Sequence, residues 1–362
     1  MYLLMITRKV DKQDSRASFV FDWLFVLAKN LEKLAVICQE KGDTRGLPAN
    51  VEIYSLGKEL GRSKIRQFFL AQKFLFRLVK KCAGVFAHQM PIYSILLGPW
   101  CRIFHKKLIQ WYTHSSVDWR LRLANFFIDE YATASKNSFR LKTKKTVHVL
   151  GHGINVSRFA PTANIISRRE TNSLPTGDHP KRDKFQILTV GRISPSKDYE
   201  SMIKAVYELK ERGFNNIKLT IVGAPVEAPG SSYLASLQAI TEKMNLQKQV
   251  EFIGGIPNDQ TVPYLQNADL FINLSDTGSL DKAVLEAMSC GCLVLTSNVA
   301  YQTILPPELF IAKDNPQVLA GKIKELMHLV EDKKDELRKQ LREEVVAHHN
   351  LGDFVGKIVG LY

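Results

Sequence analysis

What this 362-residue chain has least of is long apolar runs, cysteines in usable pairs and, in its first half, acidic residues. No run approaches the roughly 18 apolar residues needed to span a bilayer. Residues 18–31 come nearest but are broken by Asp22 and Lys29, and residues 92–101 are too few. The N-terminus starts Met-Tyr-Leu-Leu-Met-Ile-Thr and then turns charged, which reads as a first buried strand rather than a signal peptide. The expectation is a cytoplasmic protein. The cysteines, Cys38, Cys82, Cys101, Cys290 and Cys292, are odd in number, and none is paired at metal-finger spacing. That argues against a disulfide framework or a structural zinc and for reduced, buried thiols. No nucleic-acid-binding module is recognisable, and nothing marks the two opposed carboxylates of a glycoside hydrolase.

The length suggests two domains. Residues 1–165 hold 27 Lys and Arg against 11 Asp and Glu, and the remaining residues 23 against 25, so the formal net charge of +14 is carried by the first half. A basic half implies an anionic partner: phosphate, nucleic acid or an acidic membrane surface. Short β-rich runs at residues 2–7, 34–38, 51–55, 85–88, 108–113, 131–135 and 147–150 alternate with helical stretches, which predicts a parallel sheet covered by helices. Residues 160–184, with Pro161, Pro175, Gly177 and Pro180 among polar residues, mark the break between domains. Beyond it the alternation is cleaner, with strands at 186–190, 217–222, 250–253, 270–274, 293–296 and 309–311. Ligands of such sheets sit beyond the carboxyl ends of the strands.

Three strand ends carry the chemistry. Val190-Gly191-Arg192-Ile193-Ser194-Pro195-Ser196-Lys197-Asp198 sets two cations beside a helix N-terminus, a geometry that suits a diphosphate. Ile221-Val222-Gly223 ends a strand in a Gly turn. A polar loop over residues 275–282, including Asp276, Gly278, Ser279, Leu280, Asp281 and Lys282, leads into a helix carrying Glu286. Glu286 stands among apolar neighbours, so its carboxylate needs a partner; paired ribose hydroxyls are one candidate, and a plain surface position is the other.

Four blocks, GRISPSK, the IVGAP strand end, FIGGIPNDQTVPYLQNADLFINLS and KAVLEAMSCGCLVLTSN, resemble in this order the retaining GT-B glycosyltransferases of family 4. The likeness covers about residues 186–330, is loose over the first 150, and extends to GHGINVSRFAP at residues 151–161, which is similar to the family's interdomain entry segment. The resemblance implies an α/β fold of the GT-B kind, two Rossmann-like domains facing each other across a cleft. It sets an acceptor-binding domain at residues 1–160, a linker at 161–184, a donor-binding domain at 185–350 and a tail at 351–362. It further implies transfer of a sugar from a nucleoside diphosphate sugar to a glycan or lipid-linked hydroxyl, with retention of anomeric configuration and with neither metal nor cofactor. Arg192 and Lys197 match the family's diphosphate-binding cations, and Glu286 matches the second Glu of its paired-glutamate motif, the ribose ligand. The first Glu of that motif is replaced by Gly278, a departure for which Asp276 or Asp281 can substitute. The Gly-Gly loop after the family's first strand is also missing.

On the acceptor side, Asp11 and Asp14 follow the first strand, where they can bind hydroxyls; Asp14 can equally cap the next helix. His88 and His114 follow strands and are candidate sugar or acceptor contacts, although a lone His is more often structural; His114 resembles a cleft histidine of the family. The stretch from Lys58 to Lys81 interleaves eight cations with Phe68, Phe69, Phe74 and Phe76. It is either a core helix with a solvated face or a contact for an anionic membrane at the inner face of the cell. A non-catalytic sugar-nucleotide-binding relative and a basic nucleic-acid-binding protein are the alternative functions; the preferred reading assigns no nucleic-acid partner.

Overall fold

The computed structural model describes residues 1–162, 184–225 and 232–362. The chain forms two units, the first comprising Met1–Asn155, Gly278–Leu280 and His349–Tyr362, the second Val156–Thr277 and Asp281–His348.

In the first unit, β1 (Tyr2–Val10), α1 (Ser18–Lys29), β2 (Lys33–Lys41), β3 (Val51–Ser55), α2 (Lys64–Val79), β4 (Gly84–His88), α3 (Pro91–Ile103), β5 (Lys107–Trp111), α4 (Trp119–Ala124), β6 (Glu130–Thr133) and β7 (Val147–Val149) follow one another. The seven strands form one sheet in the order β3-β2-β1-β4-β5-β6-β7, with every pairing parallel. Strands buried on both faces must be apolar throughout, and Leu3, Leu4, Met5 and Ile6 are all buried. In α1 the residues Val20, Trp23, Leu24 and Leu27 recur at helical spacing and turn inward. The last residues are not a tail. Leu351, Phe354, Val355 and Ile358 repeat the same spacing and form a helix whose Phe354 ring lies 4.4 Å from that of Trp23. The terminal Tyr362 hydroxyl donates to the Val85 carbonyl at 2.7 Å.

The second unit runs β8 (Phe185–Val190), α5 (Tyr199–Glu211), β9 (Ile217–Val222), α6 (Ser232–Lys243), β10 (Val250–Gly254), α7 (Val262–Asn267), β11 (Leu270–Asn273), α8 (Lys282–Ser289), β12 (Leu293–Thr296), α9 (Pro316–His328) and α10 (Glu331–His348); α11 is the first unit's Leu351–Val359. Its sheet order is β10-β9-β8-β11-β12, all parallel. A sixth strand, expected at 309–311, is reduced to a single bridge between Phe310 and Thr296 after a turn at Pro306 and Pro307. Of the expected linker, residues 163–183 lie outside the described residues. All five cysteines are free and buried, and burial pushes the Cys101 and Cys292 thiols up to about 12, which suits packing rather than reactivity.

Candidate functional site

In the second unit the strand order reverses between β8 and β11, so the loops leaving these neighbours diverge beyond their carboxyl ends. The loop after β8 carries Gly191, Arg192 and Lys197; the loop after β11 carries Asp276 and Asp281 and enters α8. Lys197 and Asp281 meet across this point, Nζ to Oδ2 at 2.8 Å. The Lys197 side chain is 10% exposed and that of Asp281 21%. A buried ammonium is costly without a partner, and Asp281 supplies one.

The loop after β8 is fixed from two sides. The buried Tyr199 hydroxyl donates to the Arg192 carbonyl at 3.2 Å. Gly223, at the end of β9, lies so close to Gly191 that an added Cβ would stand 1.8 Å from the Gly191 carbonyl oxygen. Glycine is therefore required at 223 by the close approach of two loops rather than by a ligand alone. The Arg192 side chain is exposed.

Glu286 is 2% exposed, and its two carboxylate oxygens accept from Asn258 Nδ2 at 3.0 and 3.1 Å. Lys282, one turn earlier on α8, stands 3.6 Å away. The surface reading of Glu286 is thus wrong; an apolar helix segment has buried it, and the loop after β10 delivers its partner. Asp281 occupies the N-cap position of α8, yet its side chain caps no amide of that helix. It receives Asn298 Nδ2 at 3.4 Å, while its backbone carbonyl accepts from the Tyr301 hydroxyl at 2.6 Å. Asn258, Asn298 and Tyr301 were missed in the sequence. The signal available was position: Asn258 and Asn298 lie just after parallel strands, in blocks already singled out.

Asp276 is distant from this cluster in its bonding, pairing instead with Lys313 at 3.0 Å with its side chain 57% exposed. Gly278 takes φ +65°, a left-handed conformation that disfavours the Glu it replaces. Gly278, Ser279 and Leu280 fall in the first unit, not in the donor domain as expected, and the buried Leu280 donates its amide to Ser138 Oγ at 3.4 Å.

Two acceptor-side expectations give way to packing. Asp14 is held by its own neighbours and does not cap α1, whose N-cap Ala17 has no side-chain cap: Oδ1 accepts from the amides of Arg16 and Ala17, in the turn before the helix, at 2.8 Å, and Oδ2 pairs with Lys9 at 2.8 Å. Burial raises the Asp14 carboxyl, but Lys9 and the backbone donors outweigh it and hold it below the usual range. Lys9 also pairs with Asp11 at 3.1 Å and Glu40 at 2.8 Å. His88 is 2% exposed, bonded through Nδ1 to Thr7 Oγ1 at 2.9 Å and packed edge-on to Trp23 at 5.2 Å. A ring enclosed in this way is a core histidine rather than an acceptor ligand. His114 is exposed, its ring 5.6 Å from that of Tyr112.

Residues 176–345 match the family model described as glycosyl transferases group 1. That range holds Gly191, Arg192, Lys197, Gly223, Asn258, Asp281, Glu286 and Asn298. The chain is 24% identical over 148 residues to the phosphatidylinositol N-acetylglucosaminyltransferase GPI3 subunit of Saccharomyces cerevisiae, a match covering 40% of this chain and 31% of that protein. It is 28% identical over 235 residues to the GDP-mannose-dependent alpha-(1-6)-phosphatidylinositol monomannoside mannosyltransferase of Mycolicibacterium smegmatis, covering 58% of each. The chain thus spans about a third to three fifths of the length of these curated relatives. Among solved structures, Anabaena Alr3699/HepE in complex with UDP and glucose has the same fold, with a TM-score of 0.76 at 15% identity over 100% of this chain and 99% of that one. The fold class is α/β with two Rossmann-like parallel-sheet domains, the GT-B fold that the resemblance implied.

Proposed function

We propose that this protein is a retaining glycosyltransferase that moves a sugar from a nucleoside diphosphate sugar to a hydroxyl of a glycan or lipid-linked acceptor. The observation that carries the reading is the meeting of Lys197 and Asp281 across the reversal of strand order, with Glu286 on the helix that Asp281 begins. The group 1 match over the same residues supports it. In this reading Arg192, Lys197 and the N-terminus of α8 face the diphosphate, and Glu286 faces the ribose. As the bond to the anomeric carbon breaks, its electron pair passes to the diphosphate, and the cations stabilise that charge most when it is greatest. The leaving phosphate assists removal of the acceptor proton, which keeps the incoming group on the same face. The reading invokes no metal or cofactor, and His114 is its acceptor-side contact.

Thermal shifts with UDP, GDP, ADP and dTDP identify the nucleotide. With the donor so chosen, Arg192→Ala and Lys197→Ala are each expected to lower turnover by about 100-fold or more, with the circular dichroism of the folded protein retained. Unchanged turnover refutes their role, and inverted product stereochemistry by NMR refutes retention.

The acceptor side of the reading includes an anionic membrane at the inner face of the cell. Helix α2 buries Ala71, Leu75, Leu78 and Val79, while Ile65, Phe68, Phe69 and Phe76 on its outer face are exposed beside Lys64, Arg66, Lys73 and Arg77. No Asp or Glu occurs from Leu60 to Val117. An exposed apolar stripe flanked only by cations suits a headgroup layer of negative charge. Flotation with phosphatidylglycerol-containing vesicles but not with phosphatidylcholine alone is expected, and loss of flotation in Phe68→Ser/Phe69→Ser. Equal behaviour with both vesicles refutes the contact.

A further inference from the structure

A lysine that is to bind a diphosphate has, in this structure, already found an anion. Lys197 Nζ lies 2.8 Å from Asp281 Oδ2, and the lysine is 8% exposed, so in the nucleotide-free protein this carboxylate is the counter-ion of a buried ammonium. Asp281 is held for the task. Asp is among the preferred N-cap residues, because its side chain satisfies amides of the first turn. Here the side chain forgoes that role, turns to Lys197, and is steadied by Asn298 Nδ2 at 3.4 Å, while the Tyr301 hydroxyl fixes its backbone carbonyl at 2.6 Å. Polar groups from the loops after β8, β11 and β12 thus converge on one ion pair at the reversal of strand order, and Asp281 remains partly open to solvent.

We propose that Asp281 is a positioning residue, a built-in counter-anion that holds Lys197 in place while the site is empty and against which an incoming diphosphate competes. The inference rests on the donor-site reading of Lys197. Its consequence runs opposite to that of an ordinary structural salt bridge. With Asp281 present, binding a diphosphate brings a second anion to a cation already neutralised, and the two anions repel. With Asp281 made neutral, the empty protein is left with an unpaired buried ammonium, and a diphosphate repairs it. Stability of the empty protein falls while affinity for nucleoside diphosphate rises, and by linkage the two changes share one cause. Turnover also falls, because the diphosphate product leaves more slowly.

The test uses the full chain and whichever of UDP, GDP, ADP and dTDP the wild type binds, with affinity read by calorimetry and melting temperature read with and without nucleotide. Asp281→Asn is expected to melt lower when empty and to bind the nucleoside diphosphate about tenfold more tightly, a typical size for removing one like charge at short range. Asp281→Ser must tighten binding in the same way; as a favoured N-cap residue it restores a helix cap and guards against a variant that fails to fold. Asp281→Glu, which retains the charge, must return affinity to near the wild-type value. Weaker or unchanged binding in the Asn and Ser variants overturns the counter-anion and leaves the donor-site reading standing. If the wild type binds none of the four nucleotides, the donor-site reading itself fails and this inference with it.

Discussion

Replacing Gly223 by Ala tests how the second unit builds its site. The added Cβ would stand 1.8 Å from the Gly191 carbonyl oxygen and 2.9 Å from its carbon, both backbone atoms that no rotamer change can move aside. Relief requires the loops after β8 and β9 to separate by more than about 1 Å, in an interior packed too tightly to absorb it. The backbone bonds joining them, Gly191 N to Val222 O at 2.9 Å and Ile193 N to Ala224 O at 3.1 Å, would be strained together. Overpacking costs about 1–3 kcal/mol and each weakened backbone bond about 1 kcal/mol, so a loss of about 2–4 kcal/mol is expected. The same displacement moves the loop that carries Arg192 and Lys197, and a shift of about 1 Å is worth about 100-fold in rate when the groups moved are the catalytic ones. Urea denaturation followed by circular dichroism reads the stability, and a nucleotide-dependent thermal shift reads the loop. A variant with the wild-type midpoint and an unaltered shift would refute the claim that the two loops are locked through this glycine.

Two further outcomes follow from named contacts. Lys9→Met leaves Asp11, Asp14 and Glu40 facing one another without the cation they share, with Lys58 still beside Glu40 at 3.2 Å, and is expected to cost about 1–3 kcal/mol at pH 7. Lys9 holds the Glu40 carboxyl below its usual range, and Asp14 is lowered as well, against its own burial. The stability these two carboxylates confer is therefore present above their unfolded values near 4 and is lost as pH falls through their lower folded values. The gap between wild type and variant should narrow on acidification in pH-dependent denaturation; a constant gap would separate the destabilisation from these charges. Glu286→Gln sets an amide against the Asn258 amide in place of a carboxylate that accepts at 3.0 and 3.1 Å and also deprives Lys282 of its neighbour. It is expected to lower stability by about 1–3 kcal/mol and to weaken nucleotide binding in calorimetry; full retention of both would show the carboxylate to be dispensable.

The parallel sheets were legible because strands buried on both faces read as continuous apolar runs, as in Leu3–Ile6, and because a helix such as α1 repeats apolar residues at one spacing. Residues 351–362 are expected only as a tail, yet Leu351–Val359 form α11: periodicity says that a face will be buried, but not against what, and its Phe354 finds Trp23, more than 300 residues earlier in the chain. The strand expected at 309–311 failed for a local reason, the turn at two adjacent prolines leaving room for one bridge only.

The chain itself dictated where loops follow strands, and so which polar residues stand at sheet ends: Gly191, Lys197, Gly223, Asp281 and Glu286 were all found that way. Pairing was another matter. Whether Asp276 or Asp281 reaches Lys197, whether Glu286 is buried against Asn258, and whether Asp14 and His88 face a ligand or their own neighbours were settled by which loops the strand order brings side by side. A side chain's chemistry is written in the sequence, but its charge must be balanced by whatever lies within a few ångströms, and that neighbour is chosen by the fold.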